Sequence, residues 1–449
     1  VRKNASLALA NFVIVRLKMR FMYSILYGVG FVLLSPAFLY KMWKRGKYRE
    51  NFFQRFGRYG PELRQRLATK TRRRCWIQAV SVGEVNIALV LIVALRQQFD
   101  VVLTTTTSTG YALAKERLPG GVTLLYFPQD FPFCVRRAYD LIAPDCVVLM
   151  ESEVWPNHIW EGAGRRIPLF LVNARMSPRS ARRHRKVQWL FRHVFDKLAL
   201  VCAQSEEDAA NFRALGARRV EMTGNIKYDA SLPQSGQSTF DPRRVLADIG
   251  VAPTQPILVA GSTHPGEEEI LFDLLPKLRA KVPDLFLVLV PRHVERTPEI
   301  VELARRKNVT LALRKNGSPV RNADCLLVNT TGELKWFYTI ATVIFVGKSL
   351  VGEGGQNIVE AAASGHPTLF GPNMQNFKAI AAEFVAAGAC VQVQDRYELE
   401  HACRDLLLDE NLRARIIAAA KTVIDRNVGA LNRTVGLMNA HLDLRGKIL

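Results

Sequence analysis

A carboxylate that follows an apolar run and a small-residue turn is well placed to act as a base. Glu84 is such a group. In "IQAVSVGEVNIALVLI", residues 77–92, it follows a buried-strand pattern and Ser81-Val82-Gly83, and it opens a helical pattern. Gly83 permits the tight reversal. Two readings fit the position. Glu84 is either a ligand-facing group at the carboxyl edge of a parallel sheet, or a helix-start carboxylate serving the dipole and the cap, worth about 0.3 to 1 kcal/mol.

Other strand ends carry comparable groups. "MESEVWPN" holds Glu151 and Glu153, "NARMS" holds Arg175, and "GNIKYD" holds Lys227. On an extended chain the E-x-E pair would point to one side, so a metal pair is a geometric option. No D-x-D accompanies it and His158 is the only nearby histidine, which favours an acceptor-binding or structural role for Glu151. Arg175 and Lys227 are candidates for an acceptor phosphate or a substrate carboxylate. In the second half, "GEGGQNIVEAAASGHPTLFGP", residues 352–372, sets glycines before Asn357, with Glu360 one turn into a helix. Such a turn lets phosphate approach backbone N–H groups at a helix start. "GSTHPGEEE", residues 261–269, repeats the scheme of strand, polar turn and helix, and "VPRHVER", residues 290–296, ends a strand on Arg292 and His293. Three strand ends of this chemistry favour a nucleotide or sugar-nucleotide pocket. The G-x-G-x-x-G fingerprint and the P-loop are both absent. His264 and His293 read as polar pocket groups.

The elements that must position these residues alternate. Apolar strands such as "RCWIQAV", "DVVLTTTT", "DCVVLM", "IPLFLVN", "PILVAGS" and "ATVIFVGKS" are followed by helical patterns, the signature of right-handed βαβ crossovers and parallel sheets. The Pro-, Ser- and Gln-rich stretch 233–256 interrupts the alternation as a linker. At 449 residues the chain is expected to form two α/β domains, 42–232 and 257–449, with ligand groups at the carboxyl ends of their strands facing a cleft.

Composition narrows the partners. The chain is 49% hydrophobic and 23% charged, and 62 Lys+Arg against 40 Asp+Glu give a formal charge of +22. It is a globular chain with an anionic partner. Seven scattered cysteines without C-x-x-C spacing indicate neither a disulfide framework nor a zinc site. Residues 21–40 carry no charge and are long enough to cross a bilayer. Segment 21–41 is therefore expected to be a membrane anchor, spanning or lying shallow, after an N-terminal extension, 1–20. Met22 is a candidate native start. The basic, aromatic segment 41–60 suits anionic lipid on the cytoplasmic side; the patch Arg179, Arg182, Arg183, Arg185, Lys186 and Arg192 suits acceptor phosphates and anionic headgroups, its alternative being a solvated helix face.

The motifs "SVGEV", "ESEVWPN", "NARMSPRS", "GNIKYD", "GSTHPGEEE", "VPRHVER", "TTGEL", "FVGKSL" and "GGQNIVEAA" stand in the order found in bacterial 3-deoxy-D-manno-octulosonic acid (Kdo) transferases, which the chain resembles from about Met22 to Met438. The resemblance implies a GT-B glycosyltransferase with two Rossmann-like domains. It moves Kdo from CMP-Kdo to the lipid A precursor at the cytoplasmic face of the inner membrane, with inversion and without an active-site divalent metal. It implies Glu84 as catalytic base and donor contacts at Arg292, Gly332, Glu333, Leu334, Asn357 and Glu360. Beside these, Ser262, Thr263, His293 and Gly355 are assigned to the donor, and Ser81, Gly83, Glu151, Arg175, Arg179 and Lys227 to the acceptor. Three positions depart from the family's usual residues: Gln356 replaces His, Lys348 replaces Gly and Asn329 replaces Asp. Gln can still hydrogen-bond.

Rival readings differ in class. A GT-B transferase using another sugar nucleotide would respond to UDP rather than CMP. A nucleic-acid-binding protein would explain the charge, but no zinc-finger, homeodomain or RRM signature is present. A noncatalytic membrane scaffold would have no need of Glu84 together with the phosphate turns.

Overall fold

The computed structural model describes residues 19–36, 51–176, 180–182, 188–231, 240–315, 320 and 322–446. It divides into two compact units, Val1–Ala230 with Val428–Leu449, and Ser231–Asn427.

The first unit is built on seven parallel strands: β1 (Arg73–Ala79), β2 (Phe99–Thr105), β3 (Thr123–Tyr126), β4 (Cys146–Met150), β5 (Leu169–Ala174), β6 (Leu200–Ala203) and β7 (Val220–Met222), in the order β3-β2-β1-β4-β5-β6-β7. Alternation along each strand feeds two cores. Trp76, Val102, Val147 and Leu149 enter one face, while Cys75, Ile77, Leu103 and Val148 enter the other. Burial on both faces explains why these strands read as unbroken apolar runs. The order reverses between β1 and β4, so the segments leaving their carboxyl ends diverge and open the crevice where such sheets bind ligands.

The second unit repeats the plan with β8 (Ile257–Thr263), β9 (Phe286–Pro291), β10 (Leu311–Leu313), β11 (Cys325–Leu327), β12 (Val343–Val346), β13 (Thr368–Phe370) and β14 (Val391–Gln392), in the order β10-β11-β9-β8-β12-β13-β14. Its reversal lies between β8 and β12.

Two boundaries move from their expected places. The last helix, Ala430–Gly446, belongs to the first unit rather than to the second. Ala430, Met438 and Leu442 enter the core beside the helix Val82–Leu95. The Asp229 carboxylate accepts the Gly429 and Leu431 N–H groups at 2.7 and 3.1 Å, and Arg433 Nε donates to the Thr223 carbonyl at 2.9 Å. Within the expected linker, Pro242–Asp248 is helical, capped by Asp241. All seven cysteines are free and buried.

Candidate functional site

Glu84 emerges from the carboxyl end of β1 and is 8% exposed. Ser81 Oγ accepts the Glu84 N–H, while the Glu84 carboxylate accepts the Val80 N–H at 2.8 Å and the Ser81 hydroxyl at 3.0 Å. This is a capping box displaced by one residue. Burial pushes its carboxyl above the usual range; the Val80 N–H opposes this, the Glu151 charge adds to it, and Ser81 and Arg175 oppose it. Both readings of Glu84 thus meet in one group: it caps the helix, and it is a buried carboxylate with raised proton affinity at the switch point.

Across the switch point, Glu151 follows β4 with φ +52°. Arg175 Nε lies 2.6 Å from one carboxylate oxygen and Lys227 Nζ 3.2 Å from the other. Three residues assigned to the acceptor therefore converge. The E-x-E segment is not extended, so the geometric premise of a metal pair fails. Glu153 instead accepts the Trp155 indole N–H at 2.8 Å. Its carboxyl rises to about 7 through burial first, then through the neighbouring Glu84 charge. Sequence reading left Glu153 without a role. His158 is buried between Trp76, Phe127 and Tyr139, and burial lowers its pKa to about 3. It is a neutral core histidine. Arg179, Arg183, Arg185 and Lys186 lie outside the described residues, and Arg182 and Arg192 are exposed.

The helix Met19–Pro36 lies along the same unit. Arg20 pairs with Glu161 at 2.7 Å, Tyr23 donates to Asp130 at 2.9 Å, and Tyr27 donates to Gln129 at 2.7 Å. Asp130 also accepts the Asn157 and His158 N–H groups at 3.1 and 2.9 Å. The opposite face leaves Phe21, Ile25, Leu26, Val29, Val32 and Leu33 exposed.

In the second unit, the donor-assigned residues gather at the carboxyl ends of β8, β9, β11 and β12. Ser262 has φ +57°, and the Thr263 hydroxyl is buried without a hydrogen-bond partner among the described residues. Arg292 and His293 follow β9 on an exposed turn, and the His293 ring meets that of His264 at 5.6 Å. Glu333 is clasped by Arg314 at 3.0 and 3.2 Å and by Thr330 at 2.8 Å. It holds the Gly332-Glu333-Leu334 turn, with Gly332 at φ +87°; Arg314 carries no motif and sequence reading missed it. Asn357 donates to Ser231 at 2.7 Å and accepts the Val359 N–H at 3.1 Å. Glu360 is pushed upward by burial, against the Lys335 charge.

Two expectations change here. The helix after the glycine turn is only Val359–Ala363, five residues, too short for the dipole expected of it. The acidic run Glu267-Glu268-Glu269 is not phosphate-friendly, because its first two carboxylates point inward and are buried. Lys348 adopts φ +56°, the conformation that glycine tolerates best. At the third family departure, the Asn329 amide both accepts from and donates to the Lys315 backbone at 2.9 Å.

Two parallel α/β units of this kind constitute the GT-B architecture. A Staphylococcus aureus MnaA–UDP co-structure covers 83% of this chain and 97% of its own, with TM-score 0.52 and 16% identity. A putative UDP-N-acetylglucosamine 2-epimerase from Listeria monocytogenes has the same coverages, with TM-score 0.54 and 14% identity. At these identities the likeness concerns the fold. Sequence comparison goes further. A family model described as 3-deoxy-D-manno-octulosonic-acid transferase (kdotransferase) matches residues 50–230. The 3-deoxy-D-manno-octulosonic acid transferase of Haemophilus influenzae is 33% identical over 89% of this chain and 93% of its own. That of Bordetella pertussis is 34% identical over 90% and 95%. The chain belongs to the Kdo transferase family and is a glycosyltransferase.

Proposed function

We propose that the chain transfers Kdo from CMP-Kdo to a lipid A precursor, a tetraacylated disaccharide bisphosphate, by single displacement with inversion. The observation that carries this reading is the juxtaposition of the buried Glu84 with the Glu151–Arg175–Lys227 cluster at the β1/β4 switch point. Glu84 takes the proton of the acceptor hydroxyl as that oxygen bonds to the anomeric carbon. The bond from this carbon to the CMP phosphate oxygen breaks, and CMP leaves with the electron pair. Arg175 and Lys227 supply positive charge for an acceptor phosphate or the Kdo carboxylate. Arg292 and His293 supply a cationic edge and a hydrogen-bonding edge for the departing phosphate. No divalent metal is assigned, since Glu151 is already engaged by two cations.

The site of action is the cytoplasmic face of a bacterial inner membrane, held by one N-terminal helix and anionic lipid. We place that helix along the membrane surface. One face of Met19–Pro36 spends Arg20, Tyr23 and Tyr27 on the folded unit, and a spanning helix would carry Asp130 and Glu161 into hydrocarbon at a cost of several kcal/mol.

The test is transfer of labelled Kdo from freshly generated CMP-Kdo to the tetraacylated precursor, with EDTA, CMP and UDP as additions. Transfer that survives EDTA and is inhibited by CMP but not by UDP supports the reading. Absence of transfer by the folded chain, or inhibition by UDP alone, sends it to another sugar nucleotide.

A further inference from the structure

Carboxylates in the first turn of a helix ordinarily face water, where the dipole favours them. In the helix Glu267–Arg279 they divide into three roles. Glu269 pairs with Lys307 at 2.9 Å at the surface. Glu268 is fully buried and forks onto Arg296 at 2.8 and 3.3 Å. Glu267, also at 0% exposure, meets backbone. One of its oxygens accepts the Lys348 and His264 N–H groups at 2.7 and 3.0 Å; the other accepts those of Ser349 and Leu350 at 3.1 and 3.0 Å, with Val351 at 3.5 Å.

Successive N–H groups turned to one point form a concavity that binds anions. Here the chain fills that concavity with its own carboxylate. The β8/β12 switch point makes this possible, because it places the residues leaving β8 beside those leaving β12. Gly347 allows the approach: a Cβ there would lie 2.6 Å from Glu267 Oε2 and from Thr263 Cα. The loop so gathered is continuous with the glycine turn. Gly355 N–H donates to the Lys348 carbonyl at 3.1 Å and Asn373 N–H to the Ser349 carbonyl at 2.9 Å, while Ser349 Oγ accepts the Gly371 N–H at 2.8 Å.

We propose that Glu267 is a positioning residue for the donor site. It is an internal anion that shapes residues 347–351, presents the 352–360 turn to the sugar nucleotide, and fills the amide cluster so that the donor phosphate binds outside it. The assignment rests on the reading of the second unit as the CMP-Kdo-binding unit.

The experiment titrates the full chain with CMP by calorimetry and follows hydrogen exchange of the 348–351 amides in the parent, Glu267→Ala and Glu267→Gln. The expected result for folded Glu267→Ala is CMP binding weakened by at least about 10-fold and loss of amide protection, both recovered in part by about 100 mM formate. Formamide at the same concentration restores neither, since it brings no charge. Glu267→Gln keeps the shape but turns N–H groups toward N–H groups, so CMP binding falls comparably and formate, finding no space, does not restore it. This variant decides the matter if Glu267→Ala does not fold. Either folded variant binding CMP within about threefold of the parent overturns the proposal, as does weakened binding with unchanged amide protection. A parent that binds no CMP refutes the donor reading instead, and amide protection with formate recovery then decides the role of Glu267 in the loop.

Discussion

Glu84 joins two duties that substitution can separate. Its carboxylate accepts the Val80 N–H and the Ser81 hydroxyl, so Glu84→Ala would lose a cap worth about 1 kcal/mol as well as a base. Glu84→Gln keeps an accepting oxygen at the same place. It is expected to melt close to the parent and to lose transfer by at least about 100-fold, measured with the labelled donor. Parent-like transfer in this variant would return Glu84 to a purely structural role. In the parent, burial raises the proton affinity of Glu84, so transfer should increase as pH rises above the ordinary carboxylate range. Burial pushes the Glu153 carboxyl up to about 7. A carboxyl raised on folding contributes stability that is fully present below its unfolded value, near 4.5, and is lost as pH rises through 7. Glu153→Gln is therefore expected to gain on the parent across that window, by about 3 kcal/mol at most, as read by denaturant unfolding at pH 4.5 and 8. Equal differences at both pH values would show that Glu153 does not hold the proton. Glu84 was visible in the sequence because "SVGE" stands at a strand end. The state of Glu153 was not, because it arises from burial and from a charge 69 residues away along the chain.

At the scale of elements, the reversals between β1 and β4 and between β8 and β12 determine which turns meet. Gly347 stands at the second. Gly347→Ala would drive a methyl against the Thr263 backbone and Glu267, and neither is the free end of a flexible side chain. The expected outcome is destabilisation of about 1 to 3 kcal/mol with CMP binding weakened in the folded fraction. An unchanged melting temperature would show that the loop yields enough at Gly347 to admit a methyl group. The helix Met19–Pro36 makes a separate prediction. Leu26 and Leu33 are 62% and 73% exposed on its outer face. Replacing both by Ser should release the chain from vesicles containing anionic lipid, as read by flotation, while leaving the fold intact. Retention equal to the parent would remove this face from membrane binding. The sequence marked the segment as apolar but left open whether it spans or lies flat, because hydropathy does not show that Arg20, Tyr23 and Tyr27 are spent on the domain.

For the molecule as a whole, the fold class and the family were legible along the chain. A parallel sheet buried on both faces requires runs of Val, Ile and Leu. Its crossovers require amphipathic helices between them, and the nine collinear motifs mark the turns that leave its strands. The segments "RCWIQAV" and "PILVAGS" accordingly became β1 and β8, and the charge of +22 pointed to anionic partners. Tertiary structure decided what local pattern does not encode. It assigned Ala430–Gly446 to the first unit through Asp229 and Arg433. It turned Glu267 and Glu268 inward while Glu269 faced solvent, and it brought Arg314 to Glu333. A residue's type and its neighbours in sequence specify strand, helix and turn, because backbone preference and hydrophobic period act over a few residues. Which carboxylate is buried, and which distant amide or guanidinium meets it, depends on strand order, and that order is established only when the whole sheet assembles.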